Sequence, residues 1–138
     1  MFYVNIIIMG TKNFQDLVVW QKSHQFVLSV YKYTSSFPSD EIYGLTSQFR
    51  KAAVSIAANI AEGYKRTGKK EKVRFYNISQ SSLEECRYYI ILSRDLNYGE
   101  NTEMENNIDE VSKMLGSYSK AIKKSMSFSN KILFYLFY

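Results

Sequence analysis

A single proline, Pro38, interrupts a chain of 138 residues, and only six glycines accompany it. Proline and glycine are the strongest local breakers of regular structure, so their scarcity leaves long unpunctuated stretches. Along those stretches apolar residues recur at spacings of three and four, the repeat of a helix with one buried face. The expected class is therefore all-α.

Four segments carry that repeat. The first opens at Asn13, a good N-cap, with Asp16 suited to the first turn. Its seam reads Leu17, Trp20, His24, Val27, Tyr31 and Thr34. Phe37-Pro38-Ser39-Asp40 ends it, because proline disfavours helix in the residue before it. The second runs from about Ile42 to Tyr64. It has an apolar stripe of Leu45, Phe49, Ala52, Ile56 and Ile60, beside a stripe of small or polar residues: Gln48, Ala52, Ser55, Asn59 and Glu62. Small side chains permit close approach, so this helix is expected to have neighbours on two sides. Gly63 and then Thr67-Gly68 close it.

The third segment spans about Lys69 to Leu96, with Thr67 as its cap and Tyr76, Ser79, Leu83, Cys86, Ile90 and Ser93 as its seam. Asn97-Tyr98-Gly99 stops it. The fourth opens with Thr102 and Glu105 at capping-box spacing. Met104, Ile108, Val111, Leu115, Tyr118 and Ile122 follow, and Lys120, Lys123 and Lys124 suit the dipole of its last turns. Four amphipathic helices with short connections predict an antiparallel up-down-up-down four-helix bundle over residues 13–125. Residues 1–12 read as an apolar N-terminal extension and 126–138 as an aromatic C-terminal tail, each packed on the bundle, seated on a neighbour or frayed.

Phe2–Met9 is apolar but far shorter than the ~20 residues of a membrane span. It lacks the basic start and cleavage site of a signal peptide, and Met9 is a second candidate start. No membrane association is expected. The one cysteine, Cys86, excludes an intramolecular disulfide, which points to a reducing, cytoplasmic compartment.

Helical bundles often hold metals, and a di-iron site needs paired Glu-x-x-His motifs. The one histidine, His24, precedes Gln25-Phe26-Val27, so the motif is absent. His24 reads as a core or interface residue. The Gly63-to-Gly68 stretch lacks the Gly-Lys-Ser/Thr of a phosphate loop. Glu84 and Glu85 are adjacent and diverge on a helix. Cys86 reads as a small buried hydrophobe with no base beside it. No cofactor, metal or enzymatic activity is expected.

What is concentrated is charge. Lys65-Arg66-Thr67-Gly68-Lys69-Lys70-Glu71-Lys72-Val73-Arg74 carries a net +5, equal to the excess of the whole chain. Cations at a helix start oppose its dipole, so local stability explains them poorly, whereas phosphate would neutralise them. Lys65, Arg66, Lys69, Lys70, Lys72 and Arg74 are the candidate nucleic-acid contacts, and Tyr64 the candidate for base stacking. A solvated charged turn is the competing reading. Twelve tyrosines, among them Tyr33, Tyr43, Tyr88 and Tyr89 off the main seams, exceed what a small bundle buries. Tyrosine favours interfaces, so self-association is a further expectation.

Several strings resemble one family in order and spacing. They are Phe14-Gln15-Asp16-Leu17-Val18-Val19-Trp20-Gln21-Lys22; Phe37-Pro38; the stretch from Glu41 to Ile56 that opens Glu41-Ile42-Tyr43-Gly44-Leu45; Asn59-Ile60-Ala61-Glu62-Gly63; Arg74-Phe75; and Ser82-Leu83-Glu84-Glu85. Together they resemble the four-helix-bundle proteins encoded in intervening sequences of bacterial 23S ribosomal RNA and, more distantly, the accessory variability proteins of diversity-generating retroelements. The resemblance covers about Asn13 to Lys124. It implies a four-helix bundle, a homopentameric ring, a basic surface suited to nucleic acid, in particular structured RNA, and no enzymatic activity. A scaffold ring that holds another protein, with incidental charge, is the alternative.

Overall fold

The computed structural model describes the backbone of residues 10–137, and side chains through residue 127 and at Leu136. The apolar segment expected as the N-terminal extension lies outside the described residues as far as Met9. Four helices form: α1 Val18–Thr34, α2 Leu45–Lys65, α3 Lys69–Asp95 and α4 Thr102–Phe137, with short 3-10 turns at Phe14–Asp16 and Ser39–Glu41. There is no strand among the described residues.

Each helix packs on the next and α4 returns to α1, so the four make a closed square in which, among the described residues, no diagonal backbones come close. Side-chain pairs fix the directions. Ser79 Oγ donates to the Ile56 carbonyl at 2.9 Å, and Ser82 Oγ meets Ser55 Oγ at 2.8 Å. Those pairings run α3 antiparallel to α2. Gln80 Nε2 donates to the Ser112 carbonyl at 3.1 Å, Arg87 pairs with Asp109, and Arg94 meets Glu105 at 3.4 Å, which runs α4 against α3. The up-down-up-down bundle expected from the sequence is the fold.

The seams of α2, α3 and α4 are buried as expected: Phe49, Ile56, Ile60, Ser79, Leu83, Cys86, Ser93, Val111 and Leu115 are all nearly inaccessible. That of α1 is not. Its buried face is Val19, Ser23, Phe26, Val27, Val30 and Thr34. Residues 14–16 wind as a 3-10 turn, Leu17 is extended, and the α-helix starts only at Val18, so a phase counted from Asn13 is displaced. Tyr31 faces outward, and so does His24, which stacks on Trp20 with ring centroids 5.0 Å apart. His24 is thus an exposed ring, which overturns the core alternative of the core-or-interface reading.

The caps also differ in detail. Asp16 accepts from the backbone N–H of Lys12 and Asn13, stabilising the 3-10 turn rather than α1. Glu41 accepts from the Leu45 N–H at 2.9 Å and opens α2 three residues later than expected. Gly68, not Thr67, is the N-cap of α3. Asn101, not Thr102, caps α4 by accepting from the Met104 N–H at 2.9 Å. The α3 stop is as expected and has a clear mechanism. Asn97 sits at φ 61°, the Tyr98 N–H reaches the Ser93 carbonyl, and the Asn97 N–H reaches Arg94, the paired bonds of a Schellman motif. No proline or glycine follows Gly116, and α4 continues through residue 125 to Phe137, so the expected tail begins as helix.

Gly63 was expected to end α2, yet it lies inside the helix, buried. A Cβ there would stand 2.9 Å from Tyr76 Cε1 and 3.1 Å from Phe75 Cβ. The glycine is present because α3 leaves no room for a methyl group. Gly63→Ala is expected to destabilise the bundle by on the order of 1 kcal/mol, overpacking outweighing the gain in helix propensity. A urea unfolding midpoint at or above that of the parent would contradict this account.

Candidate nucleic-acid interface

The turn Arg66–Gly68 joins α2 to α3 at one end of the bundle. The six basic residues expected to act alike there do three different things.

Lys72 turns back onto the end of α2. Its Nζ donates to the carbonyls of Tyr64 at 2.7 Å and Gly63 at 3.1 Å. A cation on these carbonyls satisfies orphan acceptors and suits the negative end of the α2 dipole. Burial pushes the Lys72 ammonium below the usual lysine range. Arg66 and Arg74 flank Phe75, their guanidinium carbons 4.7 and 4.8 Å from its ring centre. Each also meets a carboxylate, Arg66 with Glu62 at 3.5 Å and Arg74 with Glu71 at 3.3 Å. Lys65, Lys69 and Lys70 are exposed and make no ion pair among the described residues.

Tyr64 is half-buried against the core, its hydroxyl 3.1 Å from Thr11 Oγ1 and its ring 5.7 Å from Lys72 Nζ. Stacking on a base would break these contacts, so the ring is spent within the fold. The other off-seam tyrosines divide. Tyr33 donates to the Gly99 carbonyl at 2.6 Å and packs on Phe37, while Tyr89 packs on Phe49. Tyr88 is exposed and Tyr43, at 94%, almost fully so.

The fold adds what the linear pattern did not show. Tyr118 of α4 packs on Tyr76 of α3 with centroids 5.7 Å apart, which brings Lys120, Lys123 and Lys124 beside the start of α3. Segments 62–74 and 120–124 together hold nine cations against two carboxylates, Glu62 and Glu71. At the opposite end, segments 39–41 and 95–105 hold six carboxylates and no cation. The bundle is therefore polarised along its length.

Next to the basic end, burial raises the Tyr118 hydroxyl to about 12 and Tyr76 further still. Both stay neutral donors near neutral pH. Cys86 is buried, its thiol pushed well above the thiol range by burial, which suits the inert hydrophobe expected. No group of three or more His, Cys, Asp or Glu that can hold a metal ion occurs among the described residues. No helix there is long and apolar enough to cross a membrane.

Fold and surface define a small all-α protein, a four-helix bundle with one strongly cationic end. The family model of the 23S rRNA-intervening sequence proteins matches residues 15–117, and the chain belongs to that family. A similar fold occurs in the crystal structure of a protein of unknown function from the S23 ribosomal protein family of Bacteroides thetaiotaomicron. The TM-score is 0.67 at 24% identity, over 75% of this chain and 96% of that one. No curated protein matches the sequence.

Because Lys72 holds the end of α2, its loss is expected to act on the fold. Lys72→Gln should lower stability by about 1 kcal/mol, whereas Lys69→Gln and Lys70→Gln should leave it unchanged within a few tenths of a kcal/mol. Parallel thermal unfolding of the three variants checks the division.

Proposed function

We propose that this protein is a non-enzymatic, cytoplasmic, oligomeric RNA-binding protein that engages structured RNA through the cationic end of its bundle. The observation that carries the reading is the group Lys65, Lys69 and Lys70. These are exposed cations with no partner in the fold, two of them in the first turn of α3 where the dipole disfavours them. Phosphate would neutralise them and meet free N–H groups at that helix start. The family name, which ties its members to 23S rRNA intervening sequences, favours RNA as the polymer.

The test is a fluorescence-anisotropy titration of a labelled, folded RNA at several salt concentrations. Affinity should fall steeply with salt as counterions are released. Lys65→Gln/Lys69→Gln/Lys70→Gln should bind more weakly and flatten the log–log slope by roughly two to three units, about one per lost contact. Equal affinity and slope in parent and variant would remove the turn from binding and favour the alternative, a scaffold ring for another protein.

The oligomer is proposed as a ring, and the number five follows the family resemblance. The small-residue stripe of α2 does not support it, because Ser55 and Asn59 are taken up within the chain. Support comes from two exposed apolar patches on opposite sides of the square. Tyr31, Ile42 and Val54 line the α1–α2 groove, while Tyr88 and Ile91 lie on α3, Ile91 in the α3–α4 groove. Unlike patches that join head to tail generate rings when the rotation closes. Light scattering should give a mass near five chains for the parent and smaller species for Ile42→Glu/Val54→Glu with helicity retained. A monomeric parent at micromolar concentration would refute the ring.

A further inference from the structure

The groove between α3 and α4 at the cationic end is a separate feature from the turn. It is open, about 560 Å³, and no carboxylate lines it. Asn77 and Gln80 form one wall, and Ser119, Lys120, Lys123 and Lys124 the other. The three lysines are exposed and make no ion pair among the described residues.

One further observation sets this groove apart. Gly116, which also lines the groove, lies in the middle of α4, where glycine weakens a helix. Its φ is not positive, and a Cβ there would meet nothing nearer than Gln80 Nε2 at 4.0 Å. Neither backbone conformation nor packing demands a glycine at this position. What it does is deepen the groove.

We propose that this groove seats the backbone of single-stranded RNA, with Lys120, Lys123 and Lys124 on phosphates and the exposed amide of Asn77 on a ribose 2′-hydroxyl. The inference rests on the RNA-binding reading and assigns it a second, selective element. Helices packed roughly 8–10 Å apart leave a furrow that admits one strand and not a duplex. Lysines alone attract RNA and DNA alike. A 2′-hydroxyl both donates and accepts, and a neutral amide, which also does both, matches it, which separates the two polymers. Lys69 and Lys70 stand at the same end, so a strand leaving the groove meets the turn.

The experiment measures anisotropy of the full chain with a labelled single-stranded RNA, the DNA of the same sequence, and a duplex RNA. The parent should prefer single-stranded RNA to the DNA by about tenfold or more, as expected for a bidentate polar contact. Gly116→Leu fills the groove and should weaken RNA binding by about tenfold, with an unfolding midpoint equal to or above that of the parent, because leucine favours helix. Lys120→Gln/Lys123→Gln should flatten the salt slope by roughly one to two units. Asn77→Ala should bring RNA affinity down toward that for DNA. If Gly116→Leu and the lysine pair bind like the parent while the turn variant is weakened, the groove is overturned and the turn reading stands. Equal parental affinity for RNA and DNA overturns the ribose contact. A parent that binds no nucleic acid overturns both readings.

Discussion

The close approach of α2 and α3 is the contact on which the rest of the molecule depends. Gly63, Ala53 and Ala57 keep the surface of α2 low, and Ser79 and Ser82 of α3 bond directly to its backbone carbonyl and to Ser55. Two helices this close can be joined by a turn of three residues, Arg66–Gly68. The shortness of that turn has electrostatic consequences. It folds Lys72 back onto the carbonyls that α2 leaves unsatisfied, and it puts Arg66 and Arg74 on either side of Phe75. A wider spacing would dissolve this arrangement and leave a loop of independent cations.

Most of the fold was legible because three of the four helices announce their phase with large apolar residues. Phe49, Ile56 and Ile60, or Ile108, Val111 and Leu115, allow one buried face only. In α1 the pattern is ambiguous. Val19, Phe26 and Val30 compete with Trp20, His24 and Tyr31, and the contest is decided by where the helix begins. The extended Leu17 set that start, and a residue this apolar is not a capping signal. Gly63 was misread for a similar reason. A glycine near a helix end usually closes it, and only the position of Tyr76 on another helix shows that this one is there for space.

Of the candidate site, the sequence showed the charge but not its division of labour. Ten consecutive residues with six cations are visible in any reading. Which of them the fold consumes depends on contacts eight or nine residues apart for Lys72 and on the rings flanking the turn. The contribution of Lys120, Lys123 and Lys124 was hidden further, because they lie some fifty residues from the turn and fit a helix-dipole explanation by themselves. Antiparallel pairing of α3 and α4 brings them together, and pairing is a property of the folded chain. The tyrosine surplus divides in the same way. Tyr33, Tyr64 and Tyr89 pack on the chain's own core, the hydroxyls of Tyr33 and Tyr64 bonded within it, while Tyr43 and Tyr88 stay exposed.

That division gives a physical criterion for function. A charged side chain that caps a helix, stacks on a ring or meets a carboxylate is accounted for by the folded chain itself. Lys72, Arg66 and Arg74 pass that test and say little about partners. Lys65 is placed favourably at the end of α2 but has no partner; Lys69 and Lys70 are placed unfavourably and also have none. Lys120, Lys123 and Lys124 crowd the same end, and like charges this close repel within a Debye length of about 10 Å at moderate salt. Glu62 and Glu71 at that end are paired with Arg66 and Arg74, and the larger group of carboxylates is at the far end, in segments 39–41 and 95–105. The exposed cations that the folded chain does not use, gathered at one end of the bundle axis, are therefore what the proposed binding of a polyphosphate strand rests on.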